Sequence, residues 1–124
     1  MPNPPESRHV LIVEDDADLL ETFLLVLEGA GHVATGAGNG QEALDKLRGG
    51  LRPDLILLDL MMPVMNGWQF REEQLKDPAL ASIPVVVVSA AGPISETHTL
   101  HPAAFLPKPV DLEALLEIVG RAGQ

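Results

Sequence analysis

Three short apolar runs limit what this chain can fold into: His9 to Val13 (HVLIV), Leu55 to Leu58 (LILL) and Ile83 to Val88 (IPVVVV). Each is rich in β-favouring residues, and none alternates with polar ones. A strand that is apolar on both sides needs cover on both faces, as in a parallel sheet held between helix layers. Helical patterns lie between the runs. Leu19, Leu20, Phe23, Leu24 and Leu27 recur at helix spacing and stop at Gly29 and Gly31. Asn39 followed by Glu42 reads as a capping box ahead of Ala43, Leu44 and Leu47, and Gly49-Gly50 ends that stripe. Asn66 and Gln69 repeat the signature ahead of Phe70 and Leu75, and Pro78 stops the helix. Asp111 caps a last helix carrying Leu112, Leu115, Leu116 and Val119.

Two weaker strands, about Val33 to Thr35 and Ala103 to Leu106, complete an alternating β-α series. Such alternation predicts a doubly wound α/β fold with a parallel sheet and right-handed crossovers. Gly92 to Leu100 (GPISETHTL) has few strong helix formers and no clean apolar stripe, so the fourth helix is expected to be short or irregular. The expected organisation is a flexible tail over residues 1–7, one domain over 8–121 and a short tail over 122–124. The 124 residues fit a single domain with one core.

Composition removes several classes of function. The absence of cysteine excludes disulfides, thiolate metal sites and cysteine nucleophiles. Eighteen acidic against eight basic residues, a formal net charge of −10, argue against nucleic acid or an anionic membrane as the main partner. No apolar run reaches membrane-spanning length and the N-terminus lacks a signal-peptide pattern, so the expected location is cytoplasmic.

The informative residues are those that follow the apolar runs. Glu14, Asp15 and Asp16 follow the first, Asp59 the second and Ser89 the third, and Lys108 ends the fifth strand. Open α/β sheets bind ligands outside the carboxyl ends of their strands, so this fold gathers carboxylates, a hydroxyl and an ammonium at one edge. Carboxylates so close together repel, and a hard divalent ion relieves the repulsion. Few protein ligands, with positions left for water and phosphate, favour Mg²⁺ over a Ca²⁺ cage. Lys108 and Ser89 can each face a phosphoryl oxygen, which makes the set suited to phosphoryl transfer. Asp16 reads as the N-cap of the first helix. Met61, Met62 and Met65 read as core or loop side chains. His9, His32, His98 and His101 are scattered, without acidic partners at zinc-ligand spacing, and read as surface residues.

VLIVEDD (Val10 to Asp16), PDLILLDLMMPVMNG (Pro53 to Gly67), VVVVSA (Val85 to Ala90) and FLPKP (Phe105 to Pro109) occur in order, each at a strand end. With these motifs the chain resembles the receiver domain of bacterial two-component response regulators, of the chemotaxis-receiver type, over roughly residues 8–121. The resemblance implies a five-stranded sheet in order 2-1-3-4-5, an order given for this fold type as a general example. It also implies roles. Asp59 is the phosphoacceptor, receiving its phosphoryl group from a phosphohistidine on a sensor histidine kinase or histidine phosphotransfer protein. Glu14, through water, and Asp15 hold Mg²⁺ with Asp59 and the backbone carbonyl of Met61. Ser89 bonds a phosphoryl oxygen, Lys108 pairs with the phosphate, and Phe105 stands at an aromatic switch that follows Ser89. The Lys108–Pro109 bond is implied to be cis, and Met61 and Ala91 are positions that bear on phosphoryl lifetime.

Five departures accompany the likeness. Glu14, Ser89 and Phe105 replace the family's usual Asp, Thr and Tyr. The interval from Ser89 to Lys108 is shorter than usual by about one helical turn, and His101-Pro102 stands where Gly-Ala is frequent. The usual output face beside that interval is therefore altered. With only Arg121 to Gln124 after the last helical stripe, the expected output is binding of a downstream protein target or onward transfer of the phosphoryl group. Two other readings compete. One is a pseudo-receiver that binds partners without phosphorylation. The other is a Mg²⁺-dependent phosphatase of the haloacid-dehalogenase type, which requires a second Asp where Met61 stands and a cap domain this chain has no room for.

Overall fold

In the computed structural model, which describes residues 7–90 and 102–121, the strands are β1 (His9–Val13), β2 (Val33–Ala37), β3 (Leu55–Asp59), β4 (Val85–Ser89) and β5 (Ala104–Pro107). The described helices are α1 (Ala17–Gly29), α2 (Gly40–Arg48), α3 (Gly67–Lys76) and α4 (Leu112–Arg121). The strands form one all-parallel sheet in order β2-β1-β3-β4-β5. The segment expected to hold a short or irregular helix, together with Ala91, His98 and His101, lies outside the described residues.

Alternate residues of the central strands face opposite helix layers, which is why those strands are continuously apolar. Leu11, Val13, Ile56, Leu58, Val85 and Val87 pack with Ala43, Leu44 and Leu47 of α2 and Phe70 of α3. Val10, Ile12, Leu55, Leu57, Val86 and Val88 pack with Phe23 and Leu27 of α1 and Leu115 and Val119 of α4. Each fully buried Leu or Phe in these layers contributes about 1.5–3 kcal/mol relative to exposure.

Helix ends follow the expected side chains, with one difference. Asp16 accepts from the Asp18 and Leu19 amides, confirming its capping role. Asn66 and Gln69 form a complete capping box at α3. At α2 the box is half made: Asn39 accepts from the Glu42 amide, but the Glu42 carboxylate turns to the Gly38 N–H at 3.0 Å. The glycine stops work through φ. Gly31 and Gly50 have φ of 93° and 115°, and each completes the paired backbone bonds that close a helix in a left-handed residue.

The register positions the site. Val13 pairs with Leu58, and Ser89 with Pro107. Glu14 thus emerges beside Asp59, and the Lys108 amide, donating to the Ser89 carbonyl at 3.0 Å, begins the next turn at the same edge. Gly67 brings the start of α3 against this edge, because a Cβ on it would stand 2.7 Å from the Asp59 carbonyl oxygen.

Candidate functional site

Glu14 and Asp15 follow the end of β1, Asp59 ends β3, Ser89 ends β4 and Lys108 follows β5. Glu14, Asp59 and Ser89 are buried, at 1%, 4% and 1% exposure, while Asp15 is exposed at the mouth. Carboxylate oxygens of Glu14, Asp15 and Asp59 lie within 4.8 Å of one another. The Lys108 Nζ stands 3.0 Å from Glu14 Oε1 and 3.5 Å from Asp59 Oδ2. The Met61 amide donates to Asp59 Oδ1 at 3.3 Å, and the Asp16 amide donates to Glu14 Oε2 at 3.2 Å.

The electrostatics follow from burial. Desolvation of Glu14 raises its pKa to about 7; contacts with Lys108 and the Asp16 amide oppose the rise, and the Asp59 charge adds to it. Burial lowers the Lys108 pKa, but the carboxylates of Glu14 and Asp59 outweigh that, and the ammonium is held more firmly than usual. Lys108 alone does not complete the site. Glu14 Oε1 is buried and, despite the nearby ammonium, makes no aligned hydrogen bond. Three converging carboxylates that share a single ammonium fit a hard, oxygen-seeking divalent cation.

Other expectations fall as follows. The Lys108–Pro109 bond is cis. Phe105 is half-buried and packs against the core layer on the α2–α3 side. Met62 is buried, Met65 half-buried, and Met61 exposed with its side chain turned from the core. His9 and His32 are half-buried rather than on the surface: His32 Nδ1 accepts from the Arg8 amide, and His9 Nε2 lies 3.0 Å from Thr35 Oγ1. Among the described residues neither belongs to a metal-ligand cluster.

Sequence reasoning did not find two features of the loop after Asp59. Val64 has a φ of 70°, in the region that β-branched residues avoid. Gly40 of α2 donates its amide to the Met65 carbonyl at 3.3 Å. Only the run of Gly-Asn-Gly before α2 hinted that a backbone approaches closely there.

Comparison with known proteins identifies the family and the fold. The family model of the response regulator receiver domain matches residues 10–120. Protein PilH of Pseudomonas aeruginosa is 32% identical over 115 residues, covering 89% of this chain and 93% of PilH. The DNA-binding response regulator MtrA of Mycobacterium tuberculosis is 41% identical over 83 residues, 67% of this chain; the match spans only 35% of MtrA. A response regulator receiver protein from Pseudomonas putida superposes with a TM-score of 0.85 at 32% identity, over 93% of this chain and 97% of that one. The chemotaxis response regulator CheY4 of Vibrio cholerae gives 0.85 at 26% identity, over 94% and 98%. Among the described residues no helix is long and apolar enough to cross a membrane. The family model and the likeness to PilH place the chain among the response regulator receiver domains, signalling modules of two-component systems.

Proposed function

We propose that this receiver accepts a phosphoryl group on Asp59 from a phosphohistidine of a sensor histidine kinase or histidine phosphotransfer protein, and that the modified form switches binding of a downstream protein target. The observation that carries the reading is the convergence of Glu14, Asp15, Asp59 and Lys108 from three strand ends. In the transfer, an Asp59 carboxylate oxygen bonds to phosphorus as the phosphorus–nitrogen bond of phosphohistidine breaks. The bonding pair returns to the imidazole, which takes a proton from solvent. Asp59 begins this step nearly buried, with the Lys108 ammonium 3.5 Å from its Oδ2. That ammonium, close to Asp59 Oδ2, faces the oxygens on which charge gathers.

Glu14, Asp15, Asp59 and the Met61 carbonyl would hold the Mg²⁺, with Glu14 acting through water. When bound, the ion supplies charge neutralisation at the transferring phosphoryl group. The Ser89 hydroxyl, buried at the end of β4, donates to a phosphoryl oxygen. Phe105, paired in register with Val87 on the neighbouring strand, turns inward as Ser89 is drawn toward the phosphate. The added charge thereby biases a two-state equilibrium that a partner reads on a neighbouring face.

Incubation with acetyl phosphate and Mg²⁺, followed by intact mass, tests the reading. One added phosphoryl group is expected for the wild type and none for Asp59→Asn or in the absence of Mg²⁺. An unmodified wild type under every donor would favour a partner-binding module without phosphorylation.

A further inference from the structure

We infer that Gly40, the first residue of α2, is a positioning residue for the phosphoacceptor loop, acting on Asp59 through Met65 and Val64; this rests on the reading of Asp59 as the phosphoacceptor. The loop from Leu60 to Asn66 is tied at three points. The Met61 amide donates to Asp59 Oδ1 at 3.3 Å. The Gly67 amide returns to the Leu60 carbonyl at 2.9 Å, and the Gly40 amide donates to the Met65 carbonyl at 3.3 Å. The third tie reaches outside the loop, to a helix that supplies no residue of the site.

That tie is close as well as hydrogen-bonded. A Cβ on Gly40 would lie 2.9 Å from both the carbonyl oxygen and the Cγ of Met65, and ordinary contact begins at 3.4 Å. One of the partners is backbone, so the loop would have to retreat by about half an ångström. Gly67, against the Asp59 carbonyl, closes the other side, and Met62 is anchored in the core.

Between Met61 and Met65 the chain has little freedom to absorb such a shift. Pro63 has its φ fixed by the ring. The Met65 amide donates to the Pro63 carbonyl at 2.8 Å, closing a three-residue turn around Val64. With φ at 70°, this is the rarer, strained form of that turn, and the residue at its centre is β-branched. The Val64 side chain is 81% exposed, so packing does not hold it there. The backbone ties on either side do. A strained, fully determined link transmits displacement, and movement at Gly40 therefore reaches the Met61 amide and its bond to Asp59.

Substitution at both ends of the link tests this in the full chain, with each variant first shown folded by thermal unfolding. Gly40→Ala is expected to lower the acetyl phosphate phosphorylation rate about tenfold at saturating Mg²⁺, since sub-ångström misplacement is costly in transfer chemistry. Val64→Gly, which loosens the link, is expected to lower it about threefold. The double variant is expected to be no slower than Val64→Gly alone, because Gly40 then has nothing to act through. A wild-type rate in folded Gly40→Ala, or multiplying effects in the double variant, would overturn the inference. If Gly40→Ala does not fold, a wild-type rate for Val64→Gly overturns it. A second readout stands apart from phosphorylation: the Met61 amide resonance should shift in Gly40→Ala and return in the double variant. An unmoved resonance overturns the inference. A moved resonance in a protein that takes no phosphoryl group counts against the Asp59 reading and leaves the coupling in place.

Discussion

Lys108 holds its ammonium 3.0 Å from Glu14 and 3.5 Å from Asp59, so one cation from β5's end bridges the carboxylates that follow β1 and β3. Glu14 is fully buried and Lys108 mostly so. Removing one partner of such a pair leaves an uncompensated charge. Because Lys108 is partly exposed, Lys108→Ala is expected to cost about 1–3 kcal/mol of stability at pH 8 without Mg²⁺, the range for a buried acceptor left without its donor. The loss should be smaller at pH 6, where Glu14 takes a proton instead of standing charged. Urea unfolding at the two pH values measures the difference; equal losses would show that the bridge does not carry the charge balance.

Glu14 also sets a pH dependence for the metal. Its pKa, raised by burial from 4.5 to about 7, means that folding favours its protonated form. The stabilising contribution is complete below pH 4.5 and is lost as pH rises through 7 in the metal-free protein. Mg²⁺ requires the ionised form and competes with that proton. The rise in melting temperature on adding Mg²⁺ should therefore be larger at pH 8 than at pH 6. A pH-independent rise would place the ion away from Glu14.

A different buried group fixes the far side of the fold. The Gln74 side chain donates to the carbonyls of Leu80 and Ile83 at 2.9 and 3.0 Å and accepts from Arg71 at 2.8 Å. It thereby holds the turn from α3 into β4. Gln74→Ala strands two buried carbonyls and opens a cavity, and should cost about 2–4 kcal/mol. Phosphorylation by acetyl phosphate, measured well below the new melting temperature, should be retained. Loss of phosphorylation in the folded variant would tie this turn to the site.

Much of this was legible in the sequence for a physical reason. Val10 to Val13 and Val85 to Val88 are apolar on both faces because helices cover both faces, and that pattern alone indicates a parallel sheet. Their polar ends, Glu14 and Ser89, were then bound to share an edge. β2 was harder to delimit: it continues through Gly36 to Ala37, past the Thr35 where β-branched residues stop, because pairing with β1 rather than propensity sets its end. Glu42 was read as half of a capping box at Asn39 but serves Gly38, since side-chain spacing does not say which amide lies nearer. Val64 was illegible, because its positive φ comes from ties at Met61 and Met65 that no local preference encodes.

The central claim is tested most directly by locating the phosphoryl group. The protein is treated with acetyl phosphate and Mg²⁺, reduced with borohydride, which converts an aspartyl phosphate to homoserine, and mapped by peptide mass. The account predicts homoserine at position 59 and unchanged residues at Asp15, Asp16 and Ser89. Reduction at any other acid, or none at all under conditions where the protein is folded and Mg²⁺ is bound, would contradict it.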